Sequence, residues 1–181
     1  MEIILIRHGK PTSANNPILN ASGFTKWVRR YNASDVASDS RPNTILKNIN
    51  SYYVVSSDLR RAIHSTLIYT GKESNEKLKI LREMEIPRYK LPFKLKAWTW
   101  VYLNRFLWML GLRGSFESYK EAKIRAELAA NKLIELAINK GNIIVFGHGY
   151  MNLHVRKALI NKGWSLDFKS NQYWGKTSLK T

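Results

Sequence analysis

Two short, largely apolar runs, each leading directly into a histidine and a glycine, constrain the fold of this chain most strongly. The first run covers residues 2–6 and is followed by Arg-His-Gly at 7–9; the second covers 142–146 and is followed by Gly-His-Gly at 147–149. A continuous apolar run that stops at polar residues and glycine is typical of a buried parallel strand whose end carries function. We therefore expect an α/β protein with both runs inside its sheet.

The rest of the sequence alternates between strand-like and helix-like segments. A polar, proline-containing stretch from 10 to 50 holds one short helix. A strand is expected at 52–56, followed by a helix at 59–69 with an N-cap at Ser57-Asp58 and an end at Gly71. A third strand is expected at 79–81. Two more helices follow: a long one that begins at a capping box of Ser118 and Glu121 and ends at Gly141, and one at 151–161. This order predicts a three-layer α/β/α sandwich with a mainly parallel central sheet. Because such sheets bind ligands beyond the carboxyl ends of their strands, we expect the polar residues that follow the strands to converge there.

Length and composition restrict the class of protein. With 181 residues we expect one domain spanning 1–181. The 30 Lys and Arg against 13 Asp and Glu give a net charge of +17, which attracts anions such as phosphorylated metabolites, nucleic acid or acidic lipid; alternatively, many of these cations only solvate the surface. The absence of cysteine excludes thiolate nucleophiles, disulfides and cysteine-based metal sites. No signal-peptide pattern is present, and we expect a cytoplasmic protein.

The segment 98–112 is the most apolar part of the chain and contains three tryptophans. Its uncharged run is too short to cross a bilayer, and Arg105 would lie inside any longer window. Two interpretations remain. One is an amphipathic helix that makes peripheral contact with a membrane surface. The other, which we favour, is a helical insertion at about 88–113 that packs on the core and covers the active site.

The Arg7-His8-Gly9 segment carries groups suited to phosphoryl chemistry. A transferring phosphoryl group must be held by fixed positive charge, attacked in line, and relieved of a poor alkoxide leaving group by protonation. Arg7 can bind phosphate oxygens in a bidentate manner, the imidazole of His8 can attack, and Gly9 lets the backbone approach closely.

These segments, in order, resemble the histidine phosphatase superfamily, the phosphoglycerate mutase-like proteins. The opening Leu5–Gly9 resembles the first motif of that family, and 56–62 (Ser-Ser-Asp-Leu-Arg-Arg-Ala) is similar to its second, whose arginine before alanine corresponds to Arg61 and not to Arg60. The segment Leu81-Arg82-Glu83 resembles the one that supplies the acid, Glu117-Ser118 with Arg125 resembles the late helix, and 145–149 resembles the second-histidine motif. The matches span residues 3–149.

The resemblance implies a phosphatase that works through a covalent phosphohistidine on His8. Arg7, Arg61 and His148 would surround the transferring group, while Glu83 would protonate the leaving oxygen and then activate water. The reaction requires no metal or other cofactor.

Several side chains keep two interpretations. Glu85 competes with Glu83 for the role of the acid, because a shift of two residues in a short loop is easy. Lys10 either binds a second anionic group of the substrate or is simply solvated. We expect Arg60 to lie at the surface, and His64 and His154 to be residues of helix faces.

Departures from the family pattern bear on the substrate. Mutases of this family generally carry an acidic residue, a small hydroxyl residue and then an asparagine six residues past the histidine. The run at 10–16 has no acidic residue and its asparagine is displaced, and 84–89 replaces the Gly-x-Trp-Glu-Gly type of segment. We therefore expect phosphatase activity on a small phosphorylated substrate, without mutase activity. The alternative function is a phosphate-pocket protein that binds RNA or phosphoprotein through its basic surface. The sequence gives no indication of oligomeric state.

Overall fold

A six-stranded mixed sheet forms the centre of the protein in the computed structural model, which describes residues 1–181. Its strands are β1 (Glu2–Arg7), β3 (Tyr53–Ser56), β4 (Glu76–Lys77), β6 (Ile143–Gly147), β7 (Ser165–Lys169) and β8 (Lys176–Lys180). The order across the sheet is β4-β3-β6-β1-β8-β7, with the first four strands parallel and β8 and β7 antiparallel at one edge. Two further strands, β2 (Ile18–Leu19) and β5 (Leu95–Lys96), form a separate antiparallel pair.

Five helices accompany the sheet: α1 (Ala21–Ala33), α2 (Arg60–Thr70), α3 (Ala97–Met109), α4 (Tyr119–Lys140) and α5 (Gly149–Asn161). Residues of α4 and α5 form one buried cluster with the sheet, and Tyr69 of α2 belongs to a second cluster on the opposite face. The expected three-layer α/β/α sandwich with a mainly parallel sheet is confirmed.

The alternation of side chains along β1 shows why this strand lies inside the sheet. Ile3 and Leu5 pack with the α4 and α5 cluster, whereas Ile4 and Ile6 pack with the cluster that contains Tyr69. Successive residues of a strand point to opposite faces, so a strand covered on both sides must be apolar throughout. The apolar run at 2–6 has this property.

Local signals at helix ends are partly confirmed. The Ser118 and Glu121 capping box forms, and Gly71 ends α2 with φ +70°. The predicted N-cap at Ser57-Asp58 is wrong: Leu59 occupies that position without a side-chain cap.

The predicted third strand at 79–81 is also wrong, because these residues form a 3-10 turn. The two-residue strand β4, just before it, takes the parallel pairing with β3. The turn places Leu81 in the core, while Arg82 pairs with Asp58 at 2.7 Å outside it. Leu81 points inward and the neighbouring Arg82 points outward, and this alternation is the one that a half-buried strand would show.

The apolar segment 98–112 is mostly helix α3. Two of its buried side chains, Trp100 and Val101, pack against Phe24 and Trp27 of α1, whereas Trp108 belongs to the main buried cluster with α4 and α5. No helix of the structure combines the length and apolar character needed to span a membrane.

Candidate active site

The polar residues that follow three parallel strands meet at one edge of the sheet. Arg7 ends β1 and His8 follows it, His148 follows β6, and Arg61 lies in the first turn of α2, after β3. The imidazole rings of His8 and His148 are 5.1 Å apart, and Arg61 Nε lies 3.1 Å from His8 Nε2. Carboxyl ends of parallel strands share an edge, which is why residues distant in sequence converge here.

The hydrogen bonds of His8 fix its tautomer. Its Nδ1 donates to the carbonyl of Gly9 at 2.7 Å, and Nε2 accepts from Arg61 Nε. The Gly9 amide in turn donates to Ser65 Oγ at 2.9 Å. Burial, followed by the positive charge of Arg61, holds the pKa of His8 well below its ordinary value. His8 is therefore a neutral imidazole whose Nε2 lone pair faces the guanidinium.

Three side chains around His8 each keep one buried nitrogen without a partner: Nε of Arg7, Nη2 of Arg61 and Nδ1 of His148. Arg61 is fully buried, and its Nη1 donates to the carbonyls of Tyr31 and Asn32 at 3.3 Å each. Leaving such donors unpaired is costly unless a ligand satisfies them. Unpaired arginine donors beside a neutral histidine are suited to the oxygens of a phosphate.

His148 is oriented by Ser57. Ser57 Oγ lies 2.9 Å from His148 Nε2 and also accepts from the amide of Leu59 at 3.3 Å. The hydroxyl proton can then be donated to Nε2, which leaves Nδ1 of His148 as a free donor. Burial, and next the charge of Arg61, lowers the pKa of His148 well below its ordinary value.

The structure separates the two candidate acids. Glu83 accepts from the amides of Tyr150 at 3.2 Å and Met151 at 2.9 Å in the first turn of α5, and it lines the same cleft as Arg7. Glu85 accepts from the Glu117 amide at 3.2 Å, its side chain is 49% exposed, and it lines a second cavity. Glu83 alone of the two lies in the cleft with Arg7.

Two arginines hold the segment that carries Glu83. Arg125 donates to the carbonyls of Ile80 at 2.9 Å and Arg82 at 2.7 Å while it forms a bidentate pair with Glu117. Arg105 of α3 donates to the carbonyl of Met84 at 2.6 Å. The loop that carries Glu83 is thus held by hydrogen bonds on both sides of this residue.

A cleft of about 410 Å³ extends from these residues beneath α3. Its lining includes Arg7, Tyr31 and Glu83. The remaining lining residues come from α3, α5 and two loops: Ile86, Trp98, Val101, Tyr102, Arg105, Met109, Gly149, Tyr150, Leu153 and Asn171. Helix α3 therefore forms one wall of the cleft.

The structure does not bring every candidate residue to the cleft. Lys10 is exposed, and Arg60 pairs with Asp35 at 2.7 Å on the surface. Gly9 lies beside the site, where a Cβ atom would come within 2.5 Å of Trp174 Cζ2. No group of three histidine or carboxylate side chains is placed to hold a metal ion.

The two remaining histidines lie on helices. His64 Nδ1 accepts from the Val36 amide at 3.3 Å in α2. His154 Nδ1 donates to the carbonyl of Tyr150 at 3.0 Å in α5.

Sequence reasoning missed the contribution of the C-terminal hairpin. Arg7 Nη1 donates to the carbonyl of Asn171 at 2.9 Å, and its guanidinium lies 4.3 Å from the ring centre of Tyr173. Both residues belong to the connection between β7 and β8, for which the sequence carries no motif. Ser57 and Arg105 were also missed; the position of Ser57 directly after a strand was the available signal.

Comparison with protein families and with curated proteins found no match to this sequence. Solved structures do match. They include the product of open reading frame Rv3214 of Mycobacterium tuberculosis, with 15% identity, coverage of 89% of this chain and 78% of that chain, and a TM-score of 0.56. A mycobacterial glucosyl-3-phosphoglycerate phosphatase in complex with VO3 has 16% identity, with coverage of 88% of this chain and 82% of that chain and a TM-score of 0.54. A phosphoserine phosphatase from Entamoeba histolytica in complex with 3-phosphoglyceric acid has 17% identity, with coverage of 98% of this chain and 89% of that chain and a TM-score of 0.52. The phosphoglycerate mutase-like fold of the histidine phosphatases is thereby confirmed for this chain.

Proposed function

We propose that this chain is a phosphoric monoester hydrolase of the histidine phosphatase type, acting through a phosphohistidine on His8. The observation that carries the proposal is the state of His8: a buried neutral imidazole whose Nε2 lone pair lies 3.1 Å from Arg61 Nε. Unpaired buried nitrogens of Arg7, Arg61 and His148 surround it. A nucleophile and its anion-binding groups are thus already assembled.

The reaction proceeds in two steps. His8 Nε2 attacks phosphorus, the bond from phosphorus to the ester oxygen breaks, and the Glu83 carboxyl gives its proton to that oxygen, so that the alcohol leaves neutral. The Glu83 carboxylate then takes a proton from water as the water oxygen attacks phosphorus. The bond from nitrogen to phosphorus breaks, and inorganic phosphate is released. Arg7, Arg61 and His148 stabilise the charge on the equatorial oxygens in both steps.

The named structural relatives support this reaction class, since two of them are described as phosphatases. The absence of the mutase-type residues after Gly9 supports hydrolysis without mutase activity.

The alternative of a phosphate-pocket protein that only binds RNA or phosphoprotein is less well supported by the site. Binding alone does not require a buried neutral histidine whose Nε2 accepts from an arginine, nor a carboxylate beside the arginines. Glu83 would repel a bound phosphate unless it carried a proton to donate.

Hydrolysis of p-nitrophenyl phosphate by the wild type and by His8→Ala tests the proposal. We expect the variant to lose at least about 10³-fold in kcat, because no other side chain can take the phosphoryl group. His64→Ala, which removes a histidine outside the cleft, is the matched control. Mass spectrometry of the quenched reaction should place a phosphoryl group on the peptide that contains His8. Equal rates for wild type and His8→Ala would refute the assignment.

A further inference from the structure

The part of the cleft beyond the phosphate-binding residues is lined almost entirely by apolar and aromatic side chains. Helix α3 contributes Trp98, Val101, Tyr102 and Met109, and α5 contributes Tyr150 and Leu153 across from them. Ile86, from the loop after Glu83, closes the set. In a phosphomonoester bound at His8, the alcohol portion extends into this space.

One cation of α3, Arg105, belongs to this lining and is tied to neighbouring groups. Arg105 is buried, its Nη2 donates to the Met84 carbonyl, and its unpartnered Nη1 is shielded from solvent. Its guanidinium lies 4.7 Å from the ring centre of Trp108 and 4.6 Å from that of Tyr150. The Met84 carbonyl and the two aromatic rings hold this guanidinium in place, while Nη1 stays unpartnered. A single buried cation thus interrupts a lining that is otherwise apolar or aromatic on α3.

We infer that the substrate, given the phosphatase activity proposed above, is a phosphate monoester of an apolar alcohol whose uncharged hydrocarbon part occupies the cleft between α3 and α5. Burying such a group removes apolar surface of both partners from water, which is favourable in proportion to the area. A sugar or amino-acid alcohol would lose hydration of its hydroxyl or charged groups against these walls without replacement.

The outer rim of the cleft is also apolar. Tyr102 and Met109 line it while remaining 71% and 43% exposed, so the apolar wall continues to the protein surface. An alcohol longer than the cleft therefore leaves along α3 rather than meeting a closed end.

A series of n-alkyl phosphates from methyl to decyl, each kept below its micellar concentration, tests the inference. We expect kcat/KM to rise about two- to fourfold per methylene until the chain reaches the rim, since each buried methylene contributes nearly this factor. Glycerol phosphate and glucose phosphate should be poorer substrates than butyl phosphate. A flat series, or a preference for the hydroxylated esters, would overturn the inference while leaving the phosphatase proposal intact. Loss of all turnover would refute both.

Two double variants in and just after α3 test whether the dependence on chain length arises at the cleft wall. Tyr102→Ser with Met109→Ser removes apolar area from the cleft wall. Phe106→Ser with Leu110→Ser removes similar exposed area, 54% and 63% exposed, outside the lining. We expect the ratio of kcat/KM for octyl to methyl phosphate to fall about tenfold in the first variant and to stay unchanged in the second. Equal changes in both variants would contradict the inference.

The same long-chain phosphate can be offered dissolved or embedded in neutral vesicles. Higher turnover from vesicles would indicate a membrane source for the apolar ester, and higher turnover from solution a free one. Either result supports the inference, whereas no turnover of the long-chain ester in either form, with methyl phosphate hydrolysed, would overturn it.

Discussion

His8 and His148 are buried as neutral imidazoles, and this has a cost that depends on pH. The pKa of each lies well below 6.5 in the folded protein, whereas an unfolded imidazole titrates near 6.5. Below that pH the unfolded chain binds protons that the folded chain does not. The free energy of unfolding is thus not reduced by these rings above pH 6.5, and it decreases as the pH falls below that value.

Urea unfolding between pH 7 and pH 5 measures this effect. We expect the free energy of unfolding to fall by up to about 1.4 kcal/mol per pH unit for each of the two histidines below pH 6.5. His148→Gln should flatten the dependence by removing one contribution. A slope identical in wild type and variant would mean that His148 is protonated in the folded state.

The individual roles of residues next to the strands could be anticipated from the sequence, whereas their partners could not. Arg7, His8 and His148 are marked by the apolar runs before them, and the strand ends position them. Ser57 contacts the His148 ring, and Ser65 accepts from the Gly9 amide next to His8. These contacts depend on how α2 and the residues before it pack beside β1 and β6, and no local pattern encodes that packing.

At the scale of elements, the segment at 79–86 depends on other elements for its shape. It contains only a 3-10 turn, and Arg125 of α4 binds two of its carbonyls. The residues at 79–81 alternate like a strand, but long-range hydrogen bonds fix the conformation of this segment. The side-chain pattern therefore predicts a strand that does not form.

Arg125→Leu tests that dependence. The change leaves two carbonyls and the partly buried Glu117 carboxylate without partners, so we expect a loss of about 1–3 kcal/mol in unfolding free energy together with a lower kcat, because Glu83 loses its support. Arg82→Leu is the control: its 2.7 Å pair with Asp58 is close in length to the 2.6 Å pair of Arg125 with Glu117, but it is more exposed and should cost about 1 kcal/mol or less. Comparable losses in the two variants would show that Arg125 has no special role.

At the scale of the whole molecule, the chain carries a net charge of +17, which attracts anions such as the phosphomonoester that we propose as substrate. Eight ion pairs leave most of the 30 cations without a carboxylate partner. Such a field raises the local concentration of anionic substrate.

Steady-state kinetics at increasing ionic strength test whether the net positive charge speeds the encounter with an anionic substrate. We expect kcat/KM for a phosphomonoester to fall about three- to tenfold between roughly 0.02 and 0.5 M monovalent salt, with kcat nearly constant, because screening acts on encounter and not on the buried pocket. Sodium chloride and potassium acetate should act equally at matched ionic strength. A drop with only one salt would indicate competition by that anion instead.

The layered architecture could be predicted at this scale because strand and helix periodicities are local. The apolar segment at 98–112 is the sequence signal for one wall of the cleft, α3. The walls from α5 and the β7–β8 connection carry no such signal, because they meet α3 only in the folded molecule.

The pairing of the first strand with one of the last has a consequence for when the protein becomes active. The backbone of Arg7 bonds to Trp174 and Gly175, and its side chain bonds to Asn171. Contacts so far apart in sequence form late, since a long loop must close first. During synthesis, His8 leaves the ribosome long before the hairpin that orders its neighbour. The proposed phosphatase activity should therefore be absent until the C-terminal strands dock, and refolding experiments should show that activity returning with the slowest phase.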